Sequence, residues 1–380
     1  MRYLLISIVL ILLIIACGED NPYEPDPEPE RSIRIIPHRE LIDLGDSLDF
    51  DALNVYNASI PAVWEVEGIQ GGNQTYGTIG SDGLYIAPNL VPEFDSVSVV
   101  ATLVDDISVK DTAWAVIVDP TKIYVDTSGS DSTGTGSRFA PYRTITYAII
   151  KADETEIYEE ILVGPGIYDL AGNESFPIEI GLGISLVGAG YDSTTVIGPG
   201  NTLDREGSVF AIELPDIQVK DFKIETENSD GIGIWVQGMV TSSRISSNEI
   251  SSNHTGIYIA GSLTSPRIMG NIIKRDSIGI YTANTSRPII TGNLIDSCWV
   301  YGVQIADFSA PDMGRNDSTF AGENTFVYYN TSEYLIYNAN PDTIWAIGNT
   351  WENVNNDPDA FIYDDEESSG TSGPVITENP

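Results

Sequence analysis

A block of four residues returns every 23 positions in the C-terminal half of this chain. It reads Gly233-Ile234-Trp235-Val236, then Gly256-Ile257-Tyr258-Ile259, Gly279-Ile280-Tyr281-Thr282 and Gly302-Val303-Gln304-Ile305, with successive glycines 23 residues apart. A second column, Asn248-x-Ile250, Asn271-x-Ile273 and Asn293-x-Ile295, runs beside it and continues after longer insertions as Asn324-x-Phe326 and Asn349-x-Trp351. A unit this short cannot bury an apolar face alone, so the repeats must stack. Short strand-like blocks with Gly and Asn corners at this period fit one coil of a parallel β-helix. A leucine-rich repeat has a similar length but needs a leucine pattern that is absent. Residues 161–351 leave room for about eight such coils.

Neighbouring residues of a strand point to opposite faces. Ile234, Ile257, Ile280 and Val303 then form one inward stack. Val236, Ile259 and Ile305 form a second, interrupted by Thr282. Trp235, Tyr258, Tyr281 and Gln304 fall on the outside in one register and are the candidate carbohydrate-contact residues. Aromatic rings along a groove stack on the apolar faces of sugars. Outward rings can equally stack on one another or lie beneath another segment. Asn248, Asn271 and Asn293 suit an amide ladder, each side chain bonding its neighbours above and below, and asparagine tolerates the left-handed backbone a corner can require.

Basic residues cluster in the same stretch. Arg244 and Arg267 each stand four residues before a ladder asparagine, and Arg287 stands two further back on the same strand parity. Stacked guanidiniums at these three positions are candidate anion-binding groups for uronates or sulfates; they can also simply offset neighbouring carboxylates. The formal charge of the chain is −38, from 56 acidic and 18 basic residues. That balance argues against nucleic acid, whose phosphates must be neutralised by Lys and Arg, and against electrostatic docking on anionic lipid. With only two cysteines, Cys17 and Cys298, a disulfide scaffold for the folded body is excluded.

The N-terminus accounts for Cys17. Met1-Arg2 is a short positive start, and residues 4–16 are almost unbroken apolar sequence, too short for an ordinary membrane span. The run ends Ile14-Ile15-Ala16-Cys17, which resembles the lipobox of bacterial lipoproteins. That resemblance implies a signal peptide over residues 1–16 and acylation of Cys17. The protein would then be tethered to the membrane by lipid, and Gly18 favours the outer membrane of the cell envelope. Residues 17–31 read as a Pro- and acid-rich tether, which in extended form reaches about 40 Å.

Residues 32–119 alternate apolar and polar residues at 32–36, 47–50, 62–66, 97–103 and 113–118, with turn signals at Gly71-Gly72-Asn73 and Ser81-Asp82-Gly83. This predicts a β-sandwich. The stretch Trp64-x-Val66, Gly77-Thr78-Ile79 and Gly83-Leu84-Tyr85-x-Ala87-Pro88 resembles the bacterial Ig-like repeat of surface proteins, with Trp64 in the core.

Residues 120–363 form the third unit. Ile123-Tyr124-Val125-Asp126, a Gly/Ser/Asp loop over 128–137 and Pro141-Tyr142-Arg143-Thr144-Ile145 lead into a helix expected over 145–152 with Thr144 as its N-cap. This opening resembles the cap and first coil of pectin-lyase-like β-helix proteins, closest to a bacterial subgroup of unassigned function. The resemblance implies an all-β chain, a right-handed parallel β-helix with an N-terminal Ig-like β-sandwich. It carries no catalytic or metal set across. The acidic column of calcium-dependent lyases is missing beside the ladder, and the Asp clusters of the hydrolases have no match in the coils. Calcium in the Gly/Ser/Asp loop remains the one cofactor to consider, and otherwise none is expected. Asp276 and Asp296 with Lys274 or Arg275 make the only acid/base set to consider. His254 is expected as an exposed corner residue, Cys298 as a buried one, and residues 364–380 as an acidic tail.

The expected function is a surface-anchored lipoprotein whose β-helix binds carbohydrate or another extracellular ligand without catalysis. The alternatives are a polysaccharide lyase or glycoside hydrolase with an atypical site, and a structural or adhesive surface protein.

Overall fold

A computed structural model describes residues 32–380, apart from 156–159, 316–321, 330–331, 356, 368–371 and 379–380. The expected signal peptide, the lipidation at Cys17 and the tether lie outside the described residues. The chain divides into two compact units that meet between Ile117 and Val118.

The first unit is an antiparallel sandwich. Its larger sheet orders the strands Arg39–Asp43, Asp106–Val118, Ser96–Leu103, Ala62–Val66 and Ile69–Gln70, and a smaller one orders Ser47–Asp49, Leu84–Ile86, Gly77–Ile79 and Gly72–Asn73. Alternation along Ser96–Leu103 places Val97, Val99 and Ala101 inside. Trp64 is buried with Phe50, whose ring also meets Tyr85 edge-on. Gly83 has a positive φ of 86°, and a Cβ there would sit 2.0 Å from the Phe50 carbonyl oxygen. The Ser-Asp-Gly turn therefore needs glycine for conformation and for space.

In the second unit three parallel sheets run side by side through the coils. One complete coil is Arg244–Ser246, Glu249–Ser251 and Thr255–Ala260, and each strand pairs in parallel with its equivalent in the next coil. The first sheet runs from Lys122–Val125 to Ile289–Thr291, the second from Gly166–Tyr168 to Thr350–Glu352, and the third from Ile178–Glu179 to Ile362–Tyr363. This is a right-handed parallel β-helix, and its coils keep the 23-residue period of the sequence. Ile234, Ile257, Ile280 and Val303 are fully buried, as are Val236, Ile259 and Ile305. Thr282 also faces in, and its hydroxyl meets that of Ser309 at 2.8 Å, so the interruption of the apolar stack is hydrogen-bonded.

The entrance is closed by the helix Ile145–Thr155, three residues longer than expected. Thr144 Oγ1 accepts from Tyr147 N, and Glu174, from a later loop, accepts from Ile145 N and Thr146 N. Both caps satisfy first-turn N–H groups. Ile145, Ala148, Ile149 and Ala152 join the same apolar core as the coils. Within the segment expected as an acidic tail, Val375–Ile376 pairs with Ile344–Trp345 and Asp364 accepts from Val375 N. The apolar pair Val375-Ile376 lets a polar segment add a strand.

Candidate functional site

The asparagine column is a continuous ladder. Asn248 N and Nδ2 both donate to Asn271 Oδ1, Asn271 does the same to Asn293, Asn293 to Asn324 and Asn324 to Asn349, all at 2.9–3.1 Å. These side chains lie between the first and second sheets and are buried up to Asn324. One detail differs from expectation. The left-handed residue is not the asparagine but the one before it: Ser247, Gly270, Gly292, Glu323 and Gly348 carry the positive φ. The turn must invert before the amide can point inward.

A second corner column, Asn253, Asp276 and Cys298, links the second and third sheets. Asn253 N and Nδ2 donate to Asp276 Oδ1 at 2.8 and 3.1 Å. Asn253 Nδ2 also donates to the carbonyl of Ser251, and Cys298 Sγ to that of Asp296, each two residues upstream. Asp276 Oδ2 occupies the place of Asn253 Nδ2 one coil on: it lies where a Cβ on Gly256 would meet it, as Nδ2 does for Gly233. Asp276 is fully buried, Oδ2 has no partner among the described residues, and burial holds the carboxyl well above the usual carboxylate range. Only the protonated acid can donate as the amide does. The acid/base set considered from sequence is therefore not assembled. Asp276 is in the wall, Lys274 pairs with Glu249 at 2.8 Å, and Asp296 accepts from Ser297. His254 is half-buried rather than exposed, and burial lowers its pKa. Cys298 is buried, which raises its thiol pKa.

On the third sheet Trp235, Tyr258, Tyr281 and Gln304 are register partners in successive coils, all half-buried on the outer side. Tyr337 and Tyr363 continue the column. Trp235 and Tyr258 stack at 4.3 Å with 20° between planes, Tyr258 meets Tyr281 edge-on, and Tyr301, Tyr334, Tyr337 and Tyr363 form a second cluster. The Trp235 and Tyr258 faces are turned on each other along the helix axis. A sugar needs an uncovered ring face, and the stack takes up one face of Trp235 and one of Tyr258.

Arg244 and Arg267 lie on a different sheet, the first, and Arg287 lies in the loop that leads into its strand Ile289–Thr291. Arg244 and Arg267 are register partners, and the next residue of their column is Ile289, two positions after Arg287. All three arginines are exposed and form no ion pair among the described residues. Other cations of the coils behave differently: Lys223 pairs with Glu225, Lys274 with Glu249, Lys122 with Asp119 and Glu160, and Arg205 with three glutamates.

Further along this face the column continues through bridges from Ile289 to Asp312 and from Asp312 to Trp345. Here a groove of about 530 Å³ is lined by Arg287, Ala310, Pro311, Asp312, Arg315, Thr343 and Trp345. Arg315 Nε binds Asp312 Oδ2 at 2.6 Å. Of these, sequence patterning singled out Arg287 alone. Val303 pairs with Ile336, 33 residues on instead of 23, so column arithmetic does not reach Arg315 or Trp345.

The Gly/Ser/Asp loop uses its carboxylates locally. Asp126 accepts from Ser128, and Asp131 from Arg143 N, Thr144 N and Thr144 Oγ1. Among the described residues no group of three or more His, Cys, Asp or Glu side chains is placed to hold a metal ion.

Comparison with known proteins adds the family. No curated protein matches the chain. Among solved structures, pectin methylesterase PemA from Erwinia chrysanthemi superposes with a TM-score of 0.45 at 12% identity, over 64% of this chain and 80% of that one. The catalytic domain of a GH87 alpha-1,3-glucanase gives 0.39 at 12% identity, over 85% and 63%. The A-module of the Azotobacter vinelandii mannuronan C-5 epimerase AlgE6 gives 0.24 at 13%, over 62% and 94%. A family profile described as "Protein of unknown function (DUF1565)" matches residues 127–357, more than half of the chain and nearly all of its coils, and the chain belongs to that family.

Proposed function

We propose that this protein is a lipoprotein, anchored in the cell envelope through Cys17, whose β-helix binds acidic extracellular polysaccharide without altering it. The observation that carries this reading is the arginine face. In a chain with 56 acidic residues, Arg244 and Arg267 stand directly opposite each other and, with Arg287, have no carboxylate partner among the described residues. Like charges in opposed strand positions repel. A polyanion lying along the first sheet turns that repulsion into several charge-assisted bonds. The surrounding negative charge keeps most anions at a distance, so a ligand must engage several arginines at once. The burial of Asp276 and the pairing of Lys274 support binding rather than catalysis. The self-stacked Trp235/Tyr258 stripe fits a role in holding coils together better than one in gripping sugars.

Affinity electrophoresis of the purified protein in gels carrying acidic or neutral polysaccharide tests this. The Arg244→Gln/Arg267→Gln double variant should bind the acidic polymer roughly tenfold or more weakly, and Tyr258→Ala should bind as the parent does. Equal retardation by neutral polymer, or full retention of binding in the double variant, would sink the reading.

A further inference from the structure

We infer that the groove between Arg287 and Trp345 is a subsite for a single carboxylate-bearing sugar residue of the bound chain. This rests on the acidic-polysaccharide reading and goes on to say which groups recognise one residue.

Three features of the groove point the same way. Its volume of about 530 Å³ lies within the range of small-molecule sites. Trp345 is half-buried, lines the groove, and has no aromatic ring stacked on it among the described residues, in contrast to Trp235. It offers an apolar ring surface for the C–H face of a sugar. Asp312 and the two guanidiniums supply the polar contacts. The Asp312 side chain is only 12% exposed and is held by Arg315 and, through Oδ1, by Gly314 N at 3.3 Å. Its remaining lone pairs can accept sugar hydroxyls.

Charge selects the ligand. Arg315 compensates Asp312, and Arg287 is the cation of the groove that has no ion pair among the described residues. A guanidinium fork matches a planar carboxylate with two parallel hydrogen bonds. The walls are also fixed beforehand. Asp312 N donates to Pro288 O at 2.8 Å, Ile290 N to Asp312 O at 2.9 Å, and Met313 N to Trp345 O at 3.2 Å. Little ordering is left for binding to impose. The column Arg244, Arg267, Ile289, Asp312, Trp345 places the groove on the same sheet as the two upstream arginines, so one chain along that sheet meets both.

Tryptophan fluorescence of the purified protein, titrated with a β-1,4-linked tetraglucuronate, is the test. Cellotetraose serves as its uncharged counterpart and 6-sulfated cellotetraose as the alternative anion. The tetraglucuronate should give a saturable change that is absent in Trp345→Phe and shifted roughly tenfold to weaker binding in Arg287→Gln, with cellotetraose at least as weak. Amide hydrogen exchange of each variant checks that the coils remain closed. A response that survives in Trp345→Phe, or is equal for cellotetraose, overturns the subsite. A response to the sulfated probe alone overturns its assignment to carboxylate. Arg244→Gln/Arg267→Gln separates the two readings. Loss of polymer binding with no Trp345 response to tetramer leaves the arginine face standing and removes the subsite. A Trp345 response without any preference for acidic polymer does the reverse.

Discussion

Asp276 shows how one residue can be chemically out of place and structurally in register. Asp276 Oδ1 accepts from Asn253 N and Nδ2 in the coil before, and its column asks for a second atom that donates to a nearby carbonyl, as Asn253 Nδ2 does to Ser251. The neutral acid meets both demands and the carboxylate only the first. Burial disfavours ionisation most and Glu225 adds to it, and together they outweigh the Asn253 hydrogen bonds and Arg275, which favour the carboxylate. The unfolded chain releases this proton at an ordinary carboxylate pKa, whereas the folded chain keeps it to higher pH. Stability is therefore undiminished below the ordinary value and falls as pH rises towards the raised one, by about 1.4 kcal/mol per pH unit. Asp276→Asn should remove that loss. Urea unfolding should show the variant and parent alike near pH 3 and the variant more stable at pH 8. A variant less stable than the parent at pH 8 would mean that the ionised form is the one accommodated.

At the scale of the element, corners and columns carry different loads. A Cβ on Gly256 would lie 2.6 Å from the carbonyl oxygen of Gly279 and 2.8 Å from Asp276 Oδ2, whereas one on Gly270, at a left-handed corner, would meet nothing within 4 Å. Gly270→Ala should cost only the left-handed penalty, about 1–2 kcal/mol. Gly256→Ala must push neighbouring coils apart and should lower the thermal midpoint far more; equal midpoints would contradict the packing described. Asn271→Ala strips Asn248 N of its acceptor, leaves Asn248 Nδ2 with only the Val219 carbonyl, and leaves the Ile245 carbonyl without its side-chain donor. A loss of about 3–5 kcal/mol in denaturant unfolding is expected from several unsatisfied buried groups. Tyr258→Ala removes the ring between Trp235 and Tyr281 and should cost stability without weakening glycan binding.

For the whole molecule, the net charge of −38 gives salt two opposite effects. Screening relieves self-repulsion of the folded chain, so raising sodium chloride from about 0.02 to 0.2 M, where the Debye length falls well below 30 Å, should raise the melting temperature. The same change should weaken binding of an acidic polymer to the arginine face. Melting temperature and affinity measured on one salt series should move in opposite directions. Parallel movement would place the polymer contact on uncharged groups.

What could be read from the chain alone was what repeats. Equal spacing of Gly233, Gly256, Gly279 and Gly302 determines coil length, strand parity then determines which side chains face in, and the recurring asparagines mark a corner. Each of these is a local property multiplied by translation. Three things were settled only in the folded molecule. Parity tells that Trp235 and Tyr258 point outward but not that their faces turn on each other, because ring orientation depends on the neighbour one coil away. Composition tells that cations are few but not that Arg244, Arg267 and Arg287 form no ion pair among the described residues while Lys274 forms one, because pairing depends on distance across strands. The insertions after Ile305 break the period, so Asp312, Arg315 and Trp345 come together with Arg287 only through backbone pairing that no spacing announces.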